Sequence, residues 1–500
     1  MRVILLEHPR PLDPERFQDV VNAPLSACLT TGYIASVLHA NKIQVEIVDA
    51  NLYGWSAEKT ITELCKKSFD LLGVHTVYLW DNTKSVFDML LRLREHGIKA
   101  HINLYGFYPT FAYERILLEY PFIDSVTIGE PELTFLELAQ KMTAGLKNPQ
   151  YNTDGLACSF NNASVVKNKP RQRIVDLDGL PFPLRYIPLT PNPLHKGRGK
   201  GGGKKKGIHT YILGSRGCYG NCTFCYINPF YGDNSLWRGR SPENILEEIC
   251  QLHERHKINY FYFADANFFG PDKYGKERAR RLAELIIRNG LKIGFGIECR
   301  ANDVEEKTFS ALVNAGLKQV FLGIESGSQT SLNRFKKGVS VEVNKRAIQT
   351  IRRFGIELSL GFIMFEPYST IADIRANFEF LKEMNLLTTP SATAHLLHHK
   401  ETLFQGTPDY TQIFNGQGNH APTGYEATYT FKDERVTMLF NLATHICQKA
   451  LTQMWNAECG VWSGKTSLNS AIRNPQSVFE NQSLIDSFES ALGGLRDLEK

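Results

Sequence analysis

The chain reads as α/β: a doubly wound, Rossmann-like parallel sheet, then a partial (β/α)6 barrel, then a mostly helical C-terminal region. Three observations predict this. Short β-branched runs alternate with single helix-length segments over the first 145 residues, a proline-punctuated connector follows, and the alternation resumes from 209 to about 400. Strands separated by single helices pair in parallel, because a parallel crossover needs a helix to carry the chain back.

In the first unit the strands are VILLEH (3–8), QVEIVDA (44–50), LLGVHTV (71–77), AHINLYG (100–106) and DSVTIGE (124–130), with amphipathic segments near 26–41, 56–67, 83–97 and 131–145. Ligands of such sheets bind at the carboxyl ends of the strands. Those ends lie at 7–9, 51–54, 77–80, 106–109 and 129–132. Gly106, Gly129 and Glu130 are candidates to line a cofactor there, the glycines letting a large flat ligand approach the backbone. The connector holds a hairpin around Asn161–Asn162 and then a strap with Pro181, Pro183 and Pro188. In the second unit the strands are HTYILGS (209–215), YFYFADA (260–266), KIGFGIEC (292–299), QVFLGIES (319–326), ELSLGFIMF (357–365) and ATAHLLHH (392–399), with helices near 241–256, 275–289, 304–315, 341–354 and 370–385. The expected domains are 1–150, a hairpin and linker over 151–206, the barrel over 207–410, and 411–500.

Composition sets the bounds. The chain has 500 residues, 42% hydrophobic and 22% charged, which is globular and too long for one core. Its apolar runs fall short of the roughly 20 residues a membrane helix needs, and MRVILLEHPR reads as a buried strand rather than a signal peptide. Ten cysteines without a secretory signal predict reduced thiols in the cytoplasm. The stretch KGRGKGGGKKK (196–206) holds six Lys or Arg; without it the chain is near neutral. A nucleic-acid partner is therefore not expected, and the loop reads as solvated or as a dock for an acidic partner.

The densest chemistry is GSRGCYGNCTFC (214–225), with Cys218, Cys222 and Cys225 in eight residues. Four thiolates would close a structural zinc site, whereas three leave one metal position open, the mark of a catalytic centre. A zinc site with His209 as fourth ligand is the alternative. Gly214, Gly217 and Gly220 supply bare backbone to wrap a cluster, and Phe224 can shield it.

CxxxCxxC with an aromatic before the last Cys, on the first loop of a partial barrel, resembles the radical S-adenosylmethionine (SAM) superfamily. The resemblance implies a [4Fe–4S] cluster on the three cysteines, with SAM bound to the fourth iron. GIESGSQ (323–329) followed by KKG (336–338) is similar to the family's fourth-strand segment, so Glu325, with Ser326 beside it, is expected at the SAM ribose. Asp265 and Asn267 in FADANFF (263–269) are then expected near the SAM amino group, and Arg300 in IECRAND (297–303) near its carboxylate or in a structural salt bridge. GFIMFEPYST (361–370) departs from the family's Gly-x-Pro-Gly-Glu-Thr.

The first half, ending in GEPELTFLEL and followed by DLDGLPFPLRY, resembles radical SAM proteins with an N-terminal cobalamin-binding domain, and that likeness spans about residues 1–410. It implies C-methylation of an unactivated carbon in biosynthesis, with cobalamin as methyl donor. EHPRPLDPERF carries His8 but no Asp-x-His-x-x-Gly. Cobalamin without histidine ligation, or a SAM-only deoxygenation, cyclisation or epimerisation, both stay open. His395, His398 and Glu401, at the end of the expected sixth strand, are the acid–base candidates. A small-molecule substrate and a flavodoxin- or ferredoxin-type reductant complete the expectation; a regulatory or RNA-binding metal protein is the distant alternative.

Overall fold

A computed structural model describes residues 1–10, 27–77, 85–161, 164–185, 209–232, 237–415, 427–462 and 481–494. The basic loop 196–206, Pro188, Asn162 and the His209 side chain lie outside the described residues.

The first sheet has seven strands: β1 (Arg2–Glu7), β2 (Gln44–Asp49), β3 (Leu71–His75), β4 (His101–Tyr105), β5 (Ser125–Thr127), β6 (Leu156–Phe160) and β7 (Ser164–Lys167). Their order is β2-β1-β3-β4-β5-β6-β7, parallel through β5. The hairpin β6–β7 is antiparallel and extends this sheet at its edge. Alternation explains the two layers of helix. Val3, Leu5, Ile47 and Leu71 face helices Ala27–Ala40 and Glu132–Thr143, while Ile4, Leu6, Leu72 and Val74 face Ala57–Cys65, Ser85–Glu95 and Phe107–Glu119. Helix Phe107–Glu119 falls where the sequence predicts none. Its first turn contains Pro109 and it kinks at Ala112, which blurs the helical period.

The second sheet holds β8 (His209–Ile212), β11 (Tyr260–Phe263), β12 (Gly294–Arg300), β13 (Leu317–Glu325) and β14 (Glu357–Phe362), all parallel, in the order β14-β13-β12-β11-β8. A two-stranded ribbon, β9 (Ser215–Arg216) with β10 (Arg238–Gly239), stands beside the cysteine loop. The expected sixth strand is corrected: 392–399 lies in helix Pro390–His398, followed by His399. Thr389 caps it by accepting from Ala392 N, Pro390 pre-sets its first turn, and an Ala/Leu/His run continues it. The sixth position is filled just after the helix, where Phe365 and Lys400 form a lone parallel bridge. Helices Glu434–Trp462 and Asn481–Gly494 pack on this end through Val436, Leu439, Leu484 and Phe488. Among the described residues no helix is long and apolar enough to cross a membrane.

Candidate active site

The three cysteines lie on one loop between β9 and helix Ile227–Tyr231, at the carboxyl end of the second sheet. Gly220 N donates to Cys218 Sγ at 3.3 Å, and Arg300 Nη1 donates to Cys222 Sγ at 3.3 Å. Gly220 leaves room for the guanidinium: a Cβ there would stand 2.0 Å from Arg300 Nη1, so Arg300 would have to shift. Burial pushes the Cys218 and Cys225 thiols up, with Arg300 working against it at Cys218. N–H donors aimed at two sulfurs suit thiolates, so the loop fits an iron–sulfur cluster as the sequence expects.

Arg300 is held from several sides. Its Nη2 donates to Lys337 O, its guanidinium lies 5.4 Å from the Tyr219 ring, and its backbone N donates to Asp303 Oδ2 at 3.0 Å. Asp303 also accepts from Tyr219 Oη and from Asn267 Nδ2 (2.7 Å). Asn267 is consumed by this network and by Gly270 N, which donates to its Oδ1.

Glu325 closes β13 with φ of +65°, in the left-handed region that a non-glycine residue seldom occupies. Lys337 Nζ donates to its Oε1 at 2.7 Å. Gly323 and Gly361 flank the carboxylate, and a Cβ on either would stand 2.7 and 3.3 Å from its oxygens. Ser326 is buried and donates to Asn377 Oδ1 (2.7 Å) while accepting from Ser328 N, so it builds the turn after Glu325. Asp265 accepts from Gly214 N at 2.6 Å and anchors the start of the cysteine loop. Burial raises its carboxyl to about 6 although Arg278 opposes the shift, and Oδ2 has no hydrogen-bond partner.

The first sheet presents its ligand edge to this loop. Gly106 (φ +121°) packs so closely that a Cβ would meet Thr76 O at 2.3 Å, and a Cβ on Gly129 would stand 3.5 Å from Phe230 O. Phe107 packs on Tyr226 and Phe230 at 4.6 and 4.4 Å. Glu130 does not face this gap as an open ligand group. Arg216 Nη1 donates to its Oε1 (2.7 Å), and Arg238 Nη1 (2.9 Å) and Ile174 N (3.1 Å) donate to its Oε2. Arg216 also donates to Glu132 at 2.6 Å. Burial alone would raise the Glu130 carboxyl; Arg216 and Arg238 outweigh it and lower it.

The acid–base candidates separate. His395 and His398 ride on helix Pro390–His398, neutral because burial lowers both, His395 to about 4. His398 Nδ1 is spent on Ala394 O at 2.6 Å. Glu401 is buried just past the bridge and hydrogen-bonds Asp409, whose Oδ2 accepts from Thr223 Oγ1 at 2.8 Å inside the cysteine loop. Burial and the neighbouring acids raise Glu401 well above the usual carboxylate range. Sequence reasoning missed Arg216, Lys337 and Asp409. The first left a signal as the lone basic residue within 214–225.

With this geometry in place, comparison with known proteins is informative. The family model of the Radical SAM superfamily matches residues 212–381. An uncharacterised methyltransferase of Pyrococcus horikoshii is 28% identical over 77% of this chain and 79% of its own. The anaerobic magnesium-protoporphyrin IX monomethyl ester cyclase of Rubrivivax gelatinosus is 29% identical over 56% of this chain and 48% of its own, so the chain spans about half of that relative's length. Among solved structures, the cobalamin-dependent SAM radical enzyme OxsB with aqua-cobalamin bound superposes with a TM-score of 0.72 at 20% identity, covering 98% of this chain and 71% of OxsB. The radical SAM methyltransferase TsrM of Kitasatospora setae gives 0.63 at 17% identity, covering 83% and 75%. Residues 212–381 thus carry the likeness to the radical SAM superfamily, and the chain as a whole shares the fold of OxsB. Enzymes of this superfamily use a [4Fe–4S] cluster and SAM, act on a small molecule and need a reductant.

Proposed function

We propose that this enzyme cleaves SAM reductively at a cluster on Cys218, Cys222 and Cys225, most directly to methylate an unactivated carbon of a small molecule with cobalamin. When bound, the cluster and SAM supply a hydrogen-abstracting radical, and cobalamin supplies the methyl group. The observation that carries the reading is the thiol loop itself: two sulfurs met by N–H donors, at the carboxyl edge of a parallel sheet and pressed against the ligand edge of a second one. Glu325, kept in place by Lys337, is set to accept the ribose hydroxyls. Arg300 steadies the Cys222 sulfur and the turn at Asp303. The Glu401–Asp409 pair stores a proton beside Thr223.

The first sheet's edge suits a polar ligand. His8 Nε2 and Thr76 Oγ1, at the ends of β1 and β3, are buried without a hydrogen-bond partner. His8 is a neutral imidazole, pushed down to about 3 by burial. His8, Thr76, Gly106 and Gly129 are the residues that would hold cobalamin. The cyclase relative supports a second reading, radical cyclisation without methyl transfer. Anaerobic reconstitution with iron, sulfide and hydroxocobalamin, followed by desalting, separates the two. Stoichiometric corrin absorption beside the cluster shoulder is the expected spectrum; a cluster without corrin moves the assignment to the second reading. The electron is expected from a flavodoxin- or ferredoxin-type protein.

A further inference from the structure

The inner face of the second sheet carries side chains that the cofactors leave unused. Phe261, Phe263, Phe295, Ile297, Val320 and Leu322 belong to the helix-packed core. Alternation therefore puts Tyr211, Tyr260, Tyr262, Glu298, Gln319 and Phe321 on the opposite face. These six are partly exposed although β12 is the middle strand of five, so the space they meet is the barrel interior.

Glu298 lies opposite Phe321 in the β12–β13 register, and Tyr262 Oη donates to its Oε1 at 3.2 Å. The charge that acts on it belongs to another acid, Asp265. Arg300, two residues on along β12, is committed to Cys222 and Lys337 O, and Lys337 to Glu325. A carboxyl in a protein interior without a counter-cation takes up either a proton or the positive charge of a ligand. Ring faces favour the second partner, because their quadrupole attracts cations.

We propose that Glu298, braced by Tyr262, receives the ammonium group of a small cationic substrate between the aromatic side chains of Tyr211, Tyr260 and Phe321. The proposal rests on the radical SAM reading above and names its substrate class. At a strand rise of about 3.3 Å per residue, Glu298 stands about 6.6 Å along β12 from Arg300. An ammonium held there places the adjoining carbons towards the cluster end of the barrel.

Tyr262 from β11, Asp265 just beyond that strand, and Phe321 opposite on β13 face Glu298; Tyr211 from β8 and Tyr260 neighbour Tyr262, Tyr260 Oη donates to Gln319 Oε1, and Arg300 lies two residues on along the same strand. Burial pushes the carboxyl up to about 8. An ammonium ligand ionises it, and the proton leaves to solvent. Below pH about 8, amine binding therefore releases a proton and tightens as pH rises, while a neutral hydroxyl ligand leaves Glu298 protonated.

The test is isothermal titration of the full chain, with cluster reconstituted and SAM bound, in buffers of different ionisation heat. The probes are matched pairs: cyclohexylamine and cyclohexanol, tyramine and tyrosol, 1,5-diaminopentane and 1,5-pentanediol. At least one amine is expected to bind at least tenfold more tightly than its alcohol and to release up to one proton at pH about 6.5; Glu298→Gln removes both effects. Alcohols binding as tightly as amines, amine binding without proton release or undiminished in Glu298→Gln, or no amine bound at all would overturn the proposal. Should the variant not fold, the proton count on the unaltered chain decides alone. The cluster's electron paramagnetic resonance signal on the same sample distinguishes failure of the radical SAM reading from failure of this one.

Discussion

Arg300 and Glu325 show how much a single side chain is asked to do here. Each ends or nearly ends a strand, each touches the cysteine loop or the turn opposite it, and each is pinned by Lys337. Hydrogen bonds to a charged group are worth about 1.5–3 kcal/mol. Glu325→Gln is therefore expected to weaken SAM binding by about ten- to a hundredfold, read by equilibrium dialysis, while cluster content holds. Ser326 and Asn267 were indistinguishable from ligand groups in the sequence. Both are polar residues at strand ends, but their hydrogen-bonding capacity is spent on Asn377, Asp303 and Gly270. Short polar side chains at tight turns commonly satisfy backbone before ligand.

Among the elements, the loop 214–225 depends on its anchors. Arg216, two residues before Cys218, is buried between Glu130, just past β5, and Glu132, at the start of helix Glu132–Thr143, and Asp265 fixes Gly214. Removing one member of a buried ion pair leaves an uncompensated charge, at a cost of about 3–5 kcal/mol. Arg216→Ala is expected to lower the melting temperature by that much stability and to reduce the iron retained after desalting; unchanged iron content would mean the anchor does not position the cysteines. The strands and most helices were legible because their hydrophobic periods are clean. The segment 392–399 was not, because ATAHLLHH suits a strand as well as a helix and the decision rests on the Thr389 cap and on packing against Glu434–Trp462. Three cysteines in one loop were legible from spacing alone. The partners of Arg216, Lys337 and Asp409 were not, since Glu130, Glu325 and Thr223 lie 86, 12 and 186 residues away from them in the chain.

Across the whole molecule, buried acids of two kinds shape the response to pH. Arg216 and Arg238 depress Glu130, so its contribution is present above its unfolded value and is lost as pH falls through the lower folded one. Burial raises Glu298 to about 8 and Asp265 to about 6. Each takes up a proton on folding, so the stability it contributes is full below its unfolded value, near 4, and fades as pH climbs to its folded one. Melting temperature is thus expected to drop on acidification below pH about 4, to decline from about 4 to 6 where both carboxyls contribute, and to decline more gently from about 6 to 8 through Glu298 alone. Glu298→Gln should flatten the slope from about 6 to 8; a profile unchanged by that substitution would mean Glu298 titrates normally.

The central claim is that three cysteines and the residues around them present one iron to SAM. The most direct measurement is electron paramagnetic resonance of the anaerobically reconstituted, reduced protein with and without SAM. The expected result is a [4Fe–4S]⁺ signal that shifts when SAM is added and disappears in Cys222→Ser. A signal indifferent to SAM, or protein that holds zinc in place of the cluster, would contradict the account.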